Sequence, residues 1–230
     1  MNNGIVTGHG LKSTVPFKVD VKSTRLFYCV KRVVGYFVVA AVSLFLWSCA
    51  SSGPQTSYYS LFPSSSDHPQ TSLQDKTLSF GVGPIVLPEY MDNPAVVSLN
   101  TSQQIRVSGY HAWGGDLKAS MSRVLASNLS RAWQLDNVWS FPWDSRARPH
   151  YQLRLVFEKF AGERGGNIEL QAKWQLYNQK QKRVVKIGTV SLSHTLVDDS
   201  VDTYVAGLNA LLNQFSIVLS KELSKNFESI

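Results

Sequence analysis

Three stretches between Tyr151 and Thr195 alternate apolar and polar residues with period two, and this pattern restricts the fold of the 230-residue chain more than any other. Tyr151, Leu153, Leu155 and Phe157 fall on one face, with Gln152, Arg154 and Glu158 on the other. Ile168, Leu170, Ala172, Trp174 and Leu176 oppose Glu169, Gln171, Lys173 and Gln175 in the same way. Successive side chains of a strand point to opposite faces, so each stretch is a strand with one buried and one wet face. The polar segments Gly162–Asn167 and Asn178–Lys182 supply turns, and Val184–Thr195 completes a three-stranded antiparallel meander.

Helical spacing flanks this meander. Leu117, Met121, Val124, Leu125, Leu129, Ala132 and Trp133 recur with the period of a helix over Asp116–Trp133; Gly114-Gly115 breaks the chain before it and Asp116 caps its first turn. Over Asp198–Phe227 an apolar stripe runs from Val201 to Leu223, and Asp198, Asp199, Ser200 and Asp202 crowd the end where negative charge suits the helix dipole. Leu78–Leu87, ending at Pro88, reads as a strand, as do Ala95–Leu99 and Gln104–Ser108; Trp139–Pro149 reads as irregular. The expected fold is α+β, a mostly antiparallel sheet with two helices packed on one face.

The N-terminal residues follow other rules. Val33–Trp47 is uncharged and apolar, follows Lys31-Arg32, and at fifteen residues suits a signal-peptide core better than a membrane span, which needs roughly 20. Leu46-Trp47-Ser48-Cys49 resembles a lipobox, with Trp47 where a small residue is usual. Residues 1–48 are therefore expected to be a lipoprotein signal peptide with an over-long N-terminal extension, and Cys49 the lipidated residue, carrying palmitate-type acyl chains. The other reading, a short uncleaved anchor, is disfavoured by the length of the run. The rule for residues after the cysteine, here Ala50-Ser51-Ser52 with no Asp, points to the outer membrane, periplasmic face. Residues 49–76, rich in Ser, Pro, Gln and Thr, read as a flexible tether spanning about 25–30 Å, interrupted by a sticky Tyr58-Tyr59-Ser60-Leu61 that pairs as an edge strand or packs on the domain. The folded domain is set at 77–230.

Composition narrows function further. The formal charge is +7, but residues 1–48 hold six basic residues against Asp20, so the rest carries 17 basic and 15 acidic residues. No basic stripe argues for nucleic acid. Cys29 goes with the signal, which leaves no second thiol for a disulfide or a metal site. There is no phosphate loop, nucleophile elbow or HExxH motif. His194 and Asp198 could be drawn into a triad, but no serine sits on an elbow; Glu158, Glu163 and Glu169 read as solvated strand faces rather than paired acid and base. No enzyme activity, cofactor or metal is expected. Leu87–Pro94 (LPEYMDNP) is a loop stiffened by two prolines that displays an aromatic and two acids, and Tyr110–Leu117 (YHAWGGDL) precedes a helix. Glu89, Tyr90, Asp92 and Trp113 are the candidate partner-docking residues, because a rigid aromatic makes a good anchor; for Trp113 a core position is the competing reading. His111 is expected to be exposed.

Tyr58-Tyr59-Ser60-Leu61 after the cysteine, then Val82–Asp92 (VGPIVLPEYMD), the Trp113…Asp116-Leu117 helix start and the Leu170–Trp174 strand resemble, in order, the ABC-type transport auxiliary lipoprotein family of PqiC (YmbA) type. The resemblance covers the whole chain after Cys49. It implies a non-catalytic subunit of an MCE/PqiAB-type intermembrane lipid transport system, held at the outer membrane, forming a homo-oligomeric ring and receiving a PqiB-like MCE tunnel protein. A different class, a lipoprotein activator of a periplasmic cell-wall synthase, would share the anchor and the small α+β domain. Genomic neighbours encoding MCE proteins would separate the two.

Overall fold

The computed structural model describes residues 30–41, 53–65, 71–100, 104–144, 146, 148–225 and 227. The chain divides into two compact units, Met1–Gly53 and Pro54–Ile230. In the first, residues 30–41 form a helix, α1, with exposed side chains. No described helix is long and apolar enough to cross a membrane. Cys49 and the lipobox lie outside the described residues.

The second unit contains strands β1 (Ser57–Tyr59), β2 (Phe80–Val86), β3 (Ala95–Leu99), β4 (Ile105–Trp113), β5 (Val138–Ser140), β6 (Tyr151–Gly162), β7 (Asn167–Asn178) and β8 (Arg183–Thr195). Helix α2 (Leu117–Trp133) follows β4, and α3 (Val201–Ser224) follows β8. The larger sheet has the order β5-β2-β6-β7-β8, and a smaller one the order β1-β4-β3. β6, β7 and β8 form the expected antiparallel meander. β2 runs parallel to both β5 and β6, and β1 parallel to β4. The fold is α+β, with mostly antiparallel sheets.

The alternation that defines the meander also sets its burial. Leu153, Leu155, Phe157, Leu170, Ala172 and Leu176 turn inward and are almost wholly buried under the two helices. Lys159 meets Glu169 at 2.8 Å on the opposite face, where Lys173 also pairs with Glu158. The inward face leaves little room: a Cβ on Gly188 would come within 2.4 Å of the Trp174 indole across the β7–β8 pair. Glycine is needed there for close approach and not for an unusual backbone angle.

Caps and buried polar groups fix the helices. Asp116 accepts a 2.6 Å hydrogen bond from the Ala119 amide, and Ser200 one of 3.1 Å from the Thr203 amide. Each satisfies a donor that the first helical turn leaves without an intrahelical partner. Between the helices, Asn128 Nδ2 donates to Ser216 Oγ at 3.0 Å, and Trp133 Nε1 donates to the Ser220 carbonyl at 3.2 Å. Tyr204 joins the two sheets. Its hydroxyl donates to the β3 carbonyl of Val97 at 2.9 Å and accepts from the Gly162 amide at the end of β6.

The structure departs from the sequence expectations in several places. The unit begins at Pro54, so the boundary set at residue 77 is too late. Much of the supposed tether is attached: Leu61 and Leu73 are buried, and the Thr71 amide donates to the Ala132 carbonyl at 2.8 Å. The strand set at Gln104–Ser108 runs on to Trp113, because β1 supplies a second partner for its far half. Trp139 and Ser140, which open the stretch read as irregular, belong to an edge strand on β2, Val138–Ser140, short because Pro142 cannot donate to a sheet.

Candidate docking surface

β2 ends at Val86, and the chain turns at once through a single 3-10 turn, Glu89–Met91. The Met91 amide donates to the Pro88 carbonyl at 2.9 Å, and the Asp92 amide to that of Glu89 at 3.1 Å. Met91 is driven into the core, which leaves its neighbours at the surface. Glu89 and Asp92 are exposed; Tyr90 is half-buried, and that burial raises the pKa of its phenol. Asp92 is paired with Lys118 on the first turn of α2 at 2.7 Å. The hydrogen bond to Asp92 is the main reason the Lys118 ammonium titrates above its ordinary value. An exposed pair of this kind contributes at most about 1 kcal/mol, so Asp92 remains available to exchange Lys118 for a partner's cation.

The turn lies between two hollows. On one side a cleft of about 330 Å³ runs between Pro84 and Ile85 of β2, Lys118 and Ala119 of α2, and Phe141-Pro142. Its floor is braced by Ser122, whose hydroxyl donates to the Val82 carbonyl at 2.6 Å and accepts from the Phe141 amide at 2.8 Å. On the other side, a hollow of about 430 Å³ is lined by Tyr90, Leu99, Ile105, Lys159 and Glu163. The arrangement gives a rigid turn with two acids, an aromatic edge and apolar ground on both flanks, and it suits protein docking.

Trp113 does not join it. It ends β4 inside the core, with 6% of its surface exposed, and its amide is bonded to the Pro94 carbonyl. His111 is half-buried rather than exposed. The Tyr59 hydroxyl lies 2.7 Å from the Asp202 carboxylate, to which it donates, and 2.8 Å from His111 Nδ1. Tyr59 has one proton to give, so His111 donates to it from Nδ1. Burial and then Asp202 raise the pKa of Tyr59.

The other acids and histidines singled out in the sequence have different partners. The Asp198 carboxylate is taken by the Ser200 amide and the Thr203 hydroxyl, and these bonds hold it below its ordinary range. His194 is an exposed member of β8, opposite Ile168. Glu158 and Glu169 face lysines, not each other. No group of His, Cys, Asp or Glu able to hold a metal occurs among the described residues. His68 lies outside them.

Tyr58–Leu61 both pairs as an edge strand and packs on the domain, as expected, but the sequence reading missed the side chains that fix residues 57–65. The Phe62 amide donates to Asn209 Oδ1 and the Ser64 amide to Asn213 Oδ1, each at 2.9 Å. Asn213 Nδ2 donates back to the Phe62 carbonyl, and Arg131 to that of Ser64. Two asparagines one turn apart on α3 thus act as a ladder for an extended segment. The available signal was that spacing, together with Tyr59 and Leu61 in a polar stretch.

Comparison with known proteins agrees with this architecture. The model of the ABC-type transport auxiliary lipoprotein component family matches residues 59–217. A crystal structure of an uncharacterized protein is 20% identical, aligns over 74% of this chain and 99% of its own, and has a TM-score of 0.57. A protein from Xanthomonas campestris assigned to DUF330 is 14% identical over 76% of this chain and 97% of its own, also at 0.57. No match was found among curated proteins. The two structures share the fold, and the family match runs from the end of β1 through β2–β8, the Glu89–Met91 turn and α2 into α3: the chain belongs to the ABC-type transport auxiliary lipoprotein family.

Proposed function

We propose that this protein is a non-catalytic outer-membrane lipoprotein subunit of an MCE/PqiAB-type intermembrane lipid transport system. In this reading residues 1–48 are removed, Cys49 carries the lipid, and the domain faces the periplasm as one member of a homo-oligomeric ring. The ring receives the end of a PqiB-like tunnel protein. The observation that carries the proposal is the family match over residues 59–217, which makes the chain an auxiliary transport lipoprotein. The docking surface supports it: Glu89, Tyr90 and Asp92 sit on a turn that is rigid before any partner arrives, so little ordering cost falls on binding. No cofactor is required for such a role.

A pull-down of the purified lipoprotein with its MCE partner tests the assignment. Tyr90→Ala combined with Asp92→Ala is expected to weaken capture at least tenfold while the far-ultraviolet circular dichroism stays unchanged. Undiminished capture by the double variant would remove the docking role from this turn.

A further inference from the structure

The length of chain between Cys49 and the first strand limits where the domain can stand. Only residues 50–56 separate the cysteine from Ser57, because β1 and the asparagine ladder bind the rest. A stretch of seven residues spans about 15 Å on average as a random chain and about 24 Å when fully extended. A folded body of this chain length is about 40 Å across. The leash is therefore shorter than the object it holds, and the end that carries β1 must lie next to the surface that holds the lipid.

That end displays aromatic side chains. Tyr59 and His111 meet on the inner face of the β1–β4 pair, where Tyr59 stands opposite Trp113 and His111 is two residues before it. Tyr58 and Tyr110 have the same diagonal offset, about Ala112, on the outer face. They are 71% and 54% exposed. Phe62, just beyond β1, is 64% exposed, because Leu61 beside it takes the buried position. Tyrosine favours the boundary between acyl chains and water, where its ring is apolar and its hydroxyl stays wet. Charges of both signs lie nearby: Asp202 in the first turn of α3 accepts from Tyr59, and Arg131 donates to the Ser64 carbonyl, two residues beyond Phe62.

We infer that the outer face of the β1–β4 pair, through Tyr58, Tyr110 and the adjacent Phe62, rests on the headgroup layer of the membrane that holds the lipid anchor. The contact is aromatic and apolar, so it tolerates salt and shows no preference for anionic lipid. It rests on the proposed lipidation of Cys49 and adds to it a fixed orientation, with β1 and β4 toward the bilayer.

The full-length, processed lipoprotein is reconstituted into phosphatidylethanolamine–phosphatidylglycerol vesicles at 3:1, with and without lipids brominated on the acyl chain near the headgroup. Single thiols for an environment-sensitive fluorophore are introduced as Tyr58→Cys, Tyr110→Cys and, on the outer face of β8, Thr189→Cys. Quenching at positions 58 and 110 is expected to exceed that at 189 by at least threefold, and to persist in 0.5 M salt. Equal quenching at all three positions in protein that still floats with the vesicles overturns the contact and leaves the lipid anchor standing. Protein that does not float overturns the anchor, and the contact with it. Self-quenching between labels at 58, without quenching by lipid, overturns the contact in favour of a face between two copies.

Discussion

Tyr204 ties three elements together with one hydroxyl. It rises from α3, donates to β3 and accepts from the end of β6, and burial lifts its pKa far above the ordinary phenol value. Tyr204→Phe leaves the Val97 carbonyl and the Gly162 amide short of a partner, and an orphaned buried group costs about 1–3 kcal/mol. Urea unfolding is expected to show a loss in that range, with an unchanged denaturant slope. Gly188→Ala acts through shape instead. The new methyl meets the Trp174 indole, and overpacking of this kind costs about 1–3 kcal/mol. Its melting temperature should fall, whereas Gly109→Ala, with open space around its Cα, should leave melting almost unmoved. Asp198 gives a pH signature. Its folded pKa is depressed by Ser200 and then Thr203, so its contribution is complete above the unfolded value and is lost as pH falls through the folded one. Asp198→Asn is expected to lower stability at neutral pH, where the carboxylate's contribution is complete, to change it least at acid pH, and so to flatten the acid side of the profile below about pH 4.

At the scale of elements, the segment from β1 to Ser64 is held chiefly by hydrogen bonds from side chains of α3. Asn209 serves one amide; Asn213 serves the Ser64 amide and the Phe62 carbonyl and also receives Asn128. Asn213→Ala should therefore release the segment more than Asn209→Ala does. Hydrogen exchange in peptides covering 57–65 measures this, with protection expected to fall at least tenfold for Asn213→Ala while the meander keeps its own. The meander was readable in advance because period two and one-sided burial are the same fact seen twice. The helices were readable too, and Asp116 announced its own cap. β5 and the far half of β4 were not, since each is a strand only because a neighbour elsewhere in the chain pairs with it. Cross-strand pairing leaves no local trace in three residues. The docking turn was legible as a loop between prolines. The burial of Trp113 was not, because an aromatic before a helix reads the same whether it faces inward or outward.

For the whole molecule, the proposed lipid on Cys49, the short stretch before β1 and the rigid turn form a sequence of constraints. Attachment of 57–65 shortens the free chain after Cys49 from the 27 residues expected to seven, and its mean span from about 25–30 Å to about 15 Å. In the proposed arrangement, a domain held so close presents a fixed side to any protein that reaches the membrane across the periplasm, and identical copies held at the same height form a ring around the tunnel end. The most direct test is the native mass of the assembly extracted from outer membranes in mild detergent. The account predicts an integral multiple of a protomer that lacks residues 1–48 and carries acyl chains on Cys49, recovered together with an MCE-domain protein. A monomer that retains residues 1–48 and carries no acyl mass would contradict it.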